Sequence, residues 1–251
     1  MTACIGSIGM RCVRLLKLQK HAQFFTTNSM PSRTSRKRRE HHARVPLVTA
    51  LRPQGALGIS VVSYNVLASR HERPEDYPHV PADVWPHRIS AQMHMIRRWA
   101  QKQRVDVICL QEVLPGYFQE LSAMLGDYEA VLQQRKNAVS LCATFFRRDR
   151  WKQMWVDHRS RAVLLGLAQH GAANCSVAVG NVHLTANAVD AAQTRLSQMR
   201  SALKRMRARN PGALLVAGDF NDRPGSAVTD LLSENMGAGT DAGARPLRGR
   251  K

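Results

Sequence analysis

Short apolar runs that alternate with helical spacing constrain the fold of this chain more than any other feature. From residue 57 onward, the apolar runs have the length of buried strands. Three intervening stretches repeat apolar side chains at intervals of three and four residues, as one face of an amphipathic helix does. This alternation predicts a layered α/β domain whose site lies at the ends of the strands.

The predicted strands and helix faces divide the chain into a folded domain and two flanking segments. We place the domain at residues 57–235 and interpret the Gly-rich, basic residues 236–251 as a disordered tail. Strands are predicted at residues 59–66, 105–110, 141–146, 162–167, 177–184 and 213–217. The apolar helix faces are predicted to consist of Ile89, Met93, Ile96 and Ala100; of Leu114, Phe118, Leu121 and Leu125; and of Ala192, Leu196, Met199, Leu203 and Met206, with Arg195, Lys204, Arg205 and Arg207 largely off the last of these faces.

The charge of the chain is strongly positive but unevenly distributed. Its 37 Lys and Arg residues against 18 Asp and Glu give a formal net charge of +19. Such an excess favours binding to a polyanion, because phosphates hold counterions that a basic surface releases. Residues 1–50 contain ten of the basic residues and only one acidic residue, Glu40. The charge is therefore weak evidence for what the folded domain binds.

Residues 1–50 are interpreted as a basic targeting or disordered arm. No acidic residue precedes Glu40, and residues 11–20 can form a short basic amphipathic helix. This composition is typical of a mitochondrial transit peptide, so we expect a mitochondrial location, with the nucleus or cytoplasm as alternatives. The basic run at residues 36–39 also fits a nuclear address or an arm that contacts phosphates.

The five cysteines are odd in number and show no CxxC or CxxH spacing. Three of them lie in apolar, strand-like runs, so we predict reduced thiols in the core rather than metal ligands or disulfides. No apolar run is long enough to span a bilayer, which predicts that the chain does not insert into a membrane.

Five polar residues follow predicted strands and form the candidate site: Asn65, Glu112, His183, Asp219 and Asn221. A site on strand ends is preorganised, because the backbone beneath it is held by the sheet. Each residue alone has a plainer explanation as a turn, a cap or the first solvated residue after a strand. Their joint occurrence in this order favours one common site.

The chemistry that these side chains suit is hydrolysis of a phosphate ester. The Glu112 carboxylate is a hard oxygen ligand for Mg²⁺, or for Mn²⁺ in its place. Asp219 can orient or deprotonate an attacking water, and Asn221 can hold that water or contact the phosphate. A protonated His183 can donate to a phosphoryl oxygen as negative charge develops.

Five segments together resemble a known motif series: SYNVLA, DVICLQEV, CATFFRRDRW, NVHLT and GDFNDRPGS. In this order they resemble the endonuclease/exonuclease/phosphatase superfamily over roughly residues 58–232. Within it, the wording is most similar to the branch that holds poly(A) deadenylases of the carbon catabolite repressor type, nocturnin, angel and the 2′-phosphodiesterase. The segments Tyr77–Pro78–His79 and Trp85–Arg88 are also similar to this branch.

The resemblance implies a fold and a role for each candidate residue. The fold would be a four-layer α/β/β/α sandwich of the DNase I-like type. Glu112 would be the main Mg²⁺ ligand, Asn65 would support the metal or the phosphate, and His183 would contact the phosphate. Asp219 would handle the nucleophile, and Asn221 would contact the phosphate or the water.

The implied activity is a magnesium-dependent phosphodiesterase that hydrolyses RNA, with the 3′–5′ exoribonuclease or deadenylase type expected. Poly(A), a 2′–5′ linkage and a phosphorylated dinucleotide are all substrates within this branch, and the sequence does not choose among them. Another member of the superfamily, such as a DNA-repair endonuclease or an inositol phosphatase, is a lesser alternative.

The sequence departs from the family pattern after GDFN. Family members continue to a D-Y-I strand that supplies an Asp and to an S-D-H element that supplies an Asp–His pair, and residues 222–251 contain neither. We therefore expect a sandwich that lacks its final portion and exposes a sheet edge. The alternatives are a truncated record of an enzyme, or a catalytically impaired fragment or pseudoenzyme that binds RNA or a protein partner.

Fusing residues 1–45 to a fluorescent reporter tests the targeting hypothesis. We expect the reporter to enter mitochondria, because the segment is basic and has no acidic residue before Glu40. Microscopy against a mitochondrial marker provides the measurement. Nuclear accumulation that disappears when residues 36–39 are changed to Gln would contradict the mitochondrial assignment and support the nuclear one.

Overall fold

The computed structural model of the chain describes residues 4–7, 13–14, 58–71, 75, 82–172, 175–186 and 190–235. Within them the chain forms strands β1 Cys4–Ser7, β2 Val13–Arg14, β3 Val61–Asn65, β4 Val107–Val113, β5 Tyr128–Leu132, β6 Leu141–Arg147, β7 Trp151–Arg159, β8 Ala162–Gln169, β9 Ser176–His183 and β10 Ala213–Asp219. The α-helices are α1 Arg88–Gln101, α2 Pro115–Met124, α3 Ala191–Arg207 and α4 Ala227–Asn235.

The described strands form two sheets whose parallel pairs bring the candidate residues together. One sheet has the order β2-β1-β10-β9-β8-β7, and the other has the order β3-β4-β6-β5. Strands β9 and β10 are parallel and place His183 opposite Asp219, while the parallel pair β3 and β4 places Asn65 opposite Gln111. The carboxyl ends of both pairs therefore carry the predicted site.

Three apolar layers separate and cover the sheets. Alternate side chains of the strands fill the space between the two sheets, with Trp151 and Phe146 among the residues buried there. The other face of the four-stranded sheet packs against α1 and α2, where Phe118 contacts Phe145. The other face of the six-stranded sheet packs against α3 and α4. This arrangement confirms the predicted α/β/β/α sandwich, including the inward-facing Phe118.

Two of the predicted helix faces need correction. Ile89 is 40% exposed, whereas Arg88 and Gln92 are buried, because both polar side chains donate hydrogen bonds to the Val66 carbonyl oxygen. The buried face of α1 is thus shifted by one residue in the first half of the helix, whereas Ile96 and Ala100 are buried as predicted. On α3, Ala192 is exposed in the first turn, and Arg195 is buried instead of lying off the apolar face.

The described part of the N-terminal arm is extended. Val13–Arg14 form a strand, which differs from the helix predicted over residues 11–20, and the other residues of that stretch lie outside the described ones. Strand β1 pairs antiparallel with β10 from Ser7 opposite Ala213 to Cys4 opposite Val216. Strand β10 is therefore paired on both sides and is not the exposed sheet edge that the sequence led us to expect. The predicted tail at residues 236–251 and the motif at Tyr77–His79 lie outside the described residues.

The cysteines with described side chains are free thiols, as predicted. Cys109 and Cys142 are buried between the sheets, and Cys175 is half-buried. Burial raises the pKa of the Cys109 thiol to about 12, which keeps it protonated and unreactive at neutral pH. None of the helices in the described part of the chain has the length and apolarity needed to cross a bilayer.

A buried carboxylate fastens the strands at the end opposite to the site. Asp106 precedes β4 and is 1% exposed. Its two oxygen atoms each accept a hydrogen bond of 2.7 Å from Arg150, and Oδ2 also accepts bonds from the backbone and hydroxyl of Ser60. Arg147 lies 3.4 Å from Oδ1. We call these four residues the Asp106 clasp.

The Asp106 clasp predicts an unequal effect of two Asp-to-Ala changes. We expect Asp106→Ala to lower the free energy of unfolding by about 3–5 kcal/mol, because it removes the carboxylate that pairs with the Arg150 guanidinium and accepts the two Ser60 donors. Asp149→Ala is the matched control, since Asp149 also pairs with Arg147 but is 52% exposed. Asp149→Ala is expected to lower the free energy of unfolding, measured by urea denaturation, by less than about 1 kcal/mol. Equal losses would contradict a buried role for Asp106.

Candidate active site

One amide nitrogen joins the two carboxylates of the candidate site. Asn65 Nδ2 donates hydrogen bonds of 2.8 Å to Glu112 Oε1 and 2.9 Å to Asp219 Oδ2. Asn65 and Glu112 belong to the four-stranded sheet, and Asp219 ends β10 in the other sheet. The two sheets therefore meet at this amide, and both carboxylates face the same small volume.

Glu112 reaches this volume because β4 contains a β-bulge. Leu110 pairs with Ala143 and Val113 pairs with Leu141, so two residues of β4 lie opposite one residue of β6. Glu112 adopts a left-handed backbone conformation with φ of 61°. Such backbone strain costs on the order of 1–3 kcal/mol and persists where the surrounding structure enforces it. Bulges commonly redirect side chains next to active sites, as this one redirects Glu112.

The loop after β3 wraps the Glu112 carboxylate. Ala68 donates its backbone N–H to Glu112 Oε2 at 3.1 Å, and His71 Nδ1 lies 2.8 Å from the same oxygen. Asn65 Oδ1 accepts a bond from Leu67 N, which holds Leu67 at a positive φ of 53°. His71 was not predicted, because its contact depends on the path of an irregular loop and no spacing in the sequence indicates it.

The electrostatic environment keeps Glu112 ionised. Burial raises the pKa of this carboxyl. Hydrogen bonds from His71 and Asn65, the charge of His183 and the Ala68 N–H together lower the pKa by more than burial raises it. The net pKa lies below the ordinary value for a glutamate. His183 Nε2 lies 3.7 Å from Glu112 Oε1, so the imidazole faces the same volume.

Asp219 and Asn221 are held by the turn that follows β10. The backbone N–H of Asn221 donates to Asp219 Oδ1 at 2.9 Å, and its side-chain Nδ2 donates to the Leu184 carbonyl at 2.8 Å. Gly218 precedes them with φ of 146°, and a Cβ atom there would overlap the Val182 carbonyl oxygen. Only glycine fits where β10 approaches β9 so closely.

A buried arginine joins the two loops that follow β9 and β10. Arg195 on α3 pairs with Asp222 at 3.1 Å and donates to the carbonyl oxygens of Thr185 and Ala186 at 3.3 Å. The loop after His183 is thereby fixed relative to the turn that holds Asn221. Sequence reasoning missed this residue because its position on the helix suggested a solvated side chain.

A second buried amide supports the bulge from the facing sheet. Asn181, which is fully buried on β9, donates its side-chain Nδ2 to the carbonyl oxygens of Leu110 and Ala143 at 3.1 and 2.9 Å. Its Oδ1 accepts a bond of 2.8 Å from Gln111 Nε2. These carbonyls belong to the pair at which the regular ladder of β4 and β6 ends. Asn181 therefore satisfies backbone groups beside the bulge.

The structure thus brings all five predicted residues together, and the roles assigned to them stay predictions. Asn65, Glu112 and Asp219 are linked by hydrogen bonds, His183 lies beside Glu112, and Asn221 bonds to Asp219. Among the described residues, neither Glu112 nor Asp219 forms a salt bridge with a Lys or Arg. Within the described part of the chain, the ion pairs of Glu112 are with the imidazoles of His71 and His183. A divalent cation would supply further positive charge to the two buried carboxylates.

The oxygen donors of the candidate site are of the kind that can hold a hydrated cation such as Mg²⁺. Across the residues that the structure describes, no three or more His, Cys, Asp or Glu side chains are grouped so as to hold a metal ion. Mg²⁺ is usually bound by one or two carboxylates and several waters, which one Glu and a nearby Asp can provide. Glu112, with Asn65 and Asp219 beside it, is the group that would hold the ion.

The sandwich with an acidic site at its strand ends defines the DNase I-like class of α/β proteins. The model of the Endonuclease/Exonuclease/phosphatase family matches residues 62–250. The chain therefore belongs to this family, as its motifs predicted.

Similar proteins agree with the predicted branch of the family. The carbon catabolite repressor protein 4 homolog 2 of Arabidopsis thaliana is 30% identical over 234 residues, covering 72% of this chain and 38% of that protein. The chain thus spans less than half the length of this relative. The human nocturnin catalytic domain with a bound sulfate anion shares 21% identity with a TM-score of 0.54, covering 70% of this chain and 68% of its own. The 2′,3′-cyclic phosphatase ANGEL2 shares 22% identity with a TM-score of 0.57, and the match covers 70% of this chain and 57% of the ANGEL2 chain. These structural likenesses concern the fold.

Replacing Asn181 tests its support of the bulge. We expect Asn181→Leu, which has a similar volume, to lower the free energy of unfolding by about 1–3 kcal/mol per carbonyl left unpaired. Amide hydrogen exchange at Gln111 and Glu112 is expected to become faster than in the wild type. Gln134→Leu, at an exposed amide, is the control. Unchanged exchange at the bulge would contradict the role of Asn181.

Proposed function

We propose that this chain is a magnesium-dependent phosphodiesterase that hydrolyses RNA. The observation that carries the proposal is the pair of buried carboxylates, Glu112 and Asp219, held by one Asn65 amide with His183 beside them. Anionic and neutral oxygen donors next to an imidazole suit a metal ion and a phosphate in adjacent positions. Membership of a family of nucleases and phosphatases supports the same chemistry.

In this proposal Glu112 would hold the cation, which would neutralise the negative charge that develops on the phosphate. Asn65 would support the metal by orienting the Glu112 carboxylate through its amide nitrogen. The lowered pKa of Glu112 keeps it ionised for this task at neutral pH. Asp219 accepts a proton from the attacking water or orients it, and its carboxylate is fixed for this by Asn65 and by the Asn221 N–H. His183 donates to a phosphoryl oxygen, where a positioned donor is most effective in the transition state.

We propose RNA as the substrate, hydrolysed as by a 3′–5′ exoribonuclease of the deadenylase type. The support is the 30% identity to the carbon catabolite repressor protein homolog and the ANGEL2 structure, which contains adenosine-2′,3′-vanadate. A nucleotide phosphodiester smaller than RNA satisfies the same site chemistry.

Glu112→Gln tests the proposal with a change that preserves the shape of the side chain. We expect wild-type protein to shorten 5′-labelled oligo(A) when Mg²⁺ is added and to stop when EDTA removes it. The variant is expected to lose at least about 100-fold in rate, because one negative ligand of the cation is lost. Gel analysis of the labelled products gives both the rate and the direction of shortening.

Glu120→Gln is the matched control, since Glu120 is exposed on α2 and makes the same change in charge. The control is expected to retain the wild-type rate. Salt-sensitive RNA binding with no cleavage in the wild type would overturn the enzyme and support the alternative, a protein that binds RNA without hydrolysing it. Equal hydrolysis by wild type and Glu112→Gln would show that the activity comes from elsewhere.

A further inference from the structure

A nitrogen donor that the sequence did not predict contacts the Glu112 carboxylate from the loop after β3. His71 ends a short 3₁₀ turn, Ser69–His71, and its backbone N–H donates to the Ala68 carbonyl oxygen at 2.7 Å. This turn brings the imidazole Nδ1 to 2.8 Å from Glu112 Oε2. An imidazole nitrogen therefore lies directly beside the carboxylate that would hold the cation.

The distance between these two atoms is close to the distance between neighbouring ligands of one metal ion. An octahedral ion such as Mg²⁺ binds its ligands at about 2.1 Å, so neighbouring ligand atoms lie about 3.0 Å apart. Nδ1 and Oε2 are 2.8 Å apart and need little movement to share an ion. Nδ1 binds a cation through its lone pair, which requires the ring proton to be on Nε2.

The Glu112–His71 pair is both supported and accessible, as a metal site requires. The Ala68 N–H donates to Glu112 Oε2 and Asn65 Nδ2 donates to Oε1, so both carboxylate oxygens are oriented by the protein. Groups that orient a metal ligand in this way raise metal affinity. The His71 side chain is 39% exposed, so a dissolved ion can reach the pair from the side of the imidazole.

His183 is placed less well for the same role. Its Nε2 lies 3.7 Å from Glu112 Oε1, well beyond the roughly 3.0 Å that separates neighbouring ligands of an octahedral ion. The two imidazoles face different oxygen atoms of one carboxylate. The role of metal ligand therefore falls to His71, and the role of phosphate donor falls to His183.

We propose that His71 is a ligand of the cation held by Glu112 and that it makes the site bind Mn²⁺ more tightly than Mg²⁺. An imidazole nitrogen binds first-row transition ions more strongly than it binds Mg²⁺, which prefers oxygen ligands. The remaining positions of the ion are left to water and phosphate. Either ion can supply the chemistry of the proposed hydrolysis. The inference rests on the proposed function in that it requires a cation at Glu112.

Pulsed electron paramagnetic resonance of Mn²⁺ bound to the full chain tests the inference without RNA. We expect the wild-type spectrum to show coupling of the manganese electron spin to a nitrogen, and labelling with ¹⁵N-histidine to change that coupling. His71→Gln is expected to lose the coupling. The matched control is His94→Gln, which makes the same change at an exposed position of α1 and is expected to keep it.

Calorimetry distinguishes a metal ligand from a residue that only orients Glu112. We expect His71→Gln to lower the affinity for Mn²⁺ at least about tenfold, the smallest loss typical of removing a group that orients a ligand, and to lower the affinity for Mg²⁺ by a smaller factor. A His71 that only oriented the carboxylate would lower both affinities equally. An unchanged ratio of the two affinities, or a wild-type spectrum without nitrogen coupling, overturns the inference.

Two further comparisons separate this inference from a folding defect and from the proposed function. If thermal unfolding shows that His71→Gln does not fold, His183→Gln is measured instead. Retained nitrogen coupling in that variant supports His71, because His71 and His183 are the two imidazoles that contact Glu112 within the described ranges, and lost coupling overturns the inference. Nitrogen coupling in a wild type that leaves oligo(A) intact supports the ligand and contradicts the proposed hydrolysis alone. A wild type that binds neither ion overturns both.

Discussion

The structure of the site depends on the burial of two negative charges within reach of one amide. Glu112 and Asp219 are 8% and 6% exposed, so neither is stabilised by bulk water. Like charges in such a place raise the free energy of the folded state unless donors or cations compensate them. Asn65, the Ala68 N–H and His71 supply part of that compensation. The loops at the candidate active site, which we call the active edge of the sheets, supply these donors.

The apolar sandwich is held in register by polar groups at both ends. Near the active edge, Asn181 crosses between the sheets and binds carbonyl oxygens of β4 and β6. At the opposite end, the Asp106 clasp joins the start of β4 to the residue before β3 and to the end of β6. Apolar contacts between the sheets do not fix their relative position, because apolar side chains can pack in several registers. Each of these hydrogen bonds forms in one alignment of the sheets. They therefore specify how the layers align.

The sequence was sufficient to predict the layers and the proximity of the five candidate residues, because each of them follows an apolar run. It was insufficient wherever register or a long polar side chain decides the outcome. The bulge at Glu112 and the contact of His71 depend on pairing between distant segments. Ile89 was assigned to the buried face because the periodic pattern considers only apolar residues. In the structure, Arg88 and Gln92 point inward instead and donate hydrogen bonds to the carbonyl oxygen of Val66. Strands β5 and β7 were not predicted, since polar residues interrupt their pattern.

Gly218 has a consequence for how the active edge responds to different ligands. Its backbone rests against the Val182 carbonyl, so β9 and β10 touch there without any intervening side chain. No rotamer change can widen or narrow that contact, and the spacing between His183 and Asp219 is set by main-chain atoms alone. Ligands of different shape must therefore be accommodated by movement of the loops after β3 and β9, while the distance between the two strands stays constant.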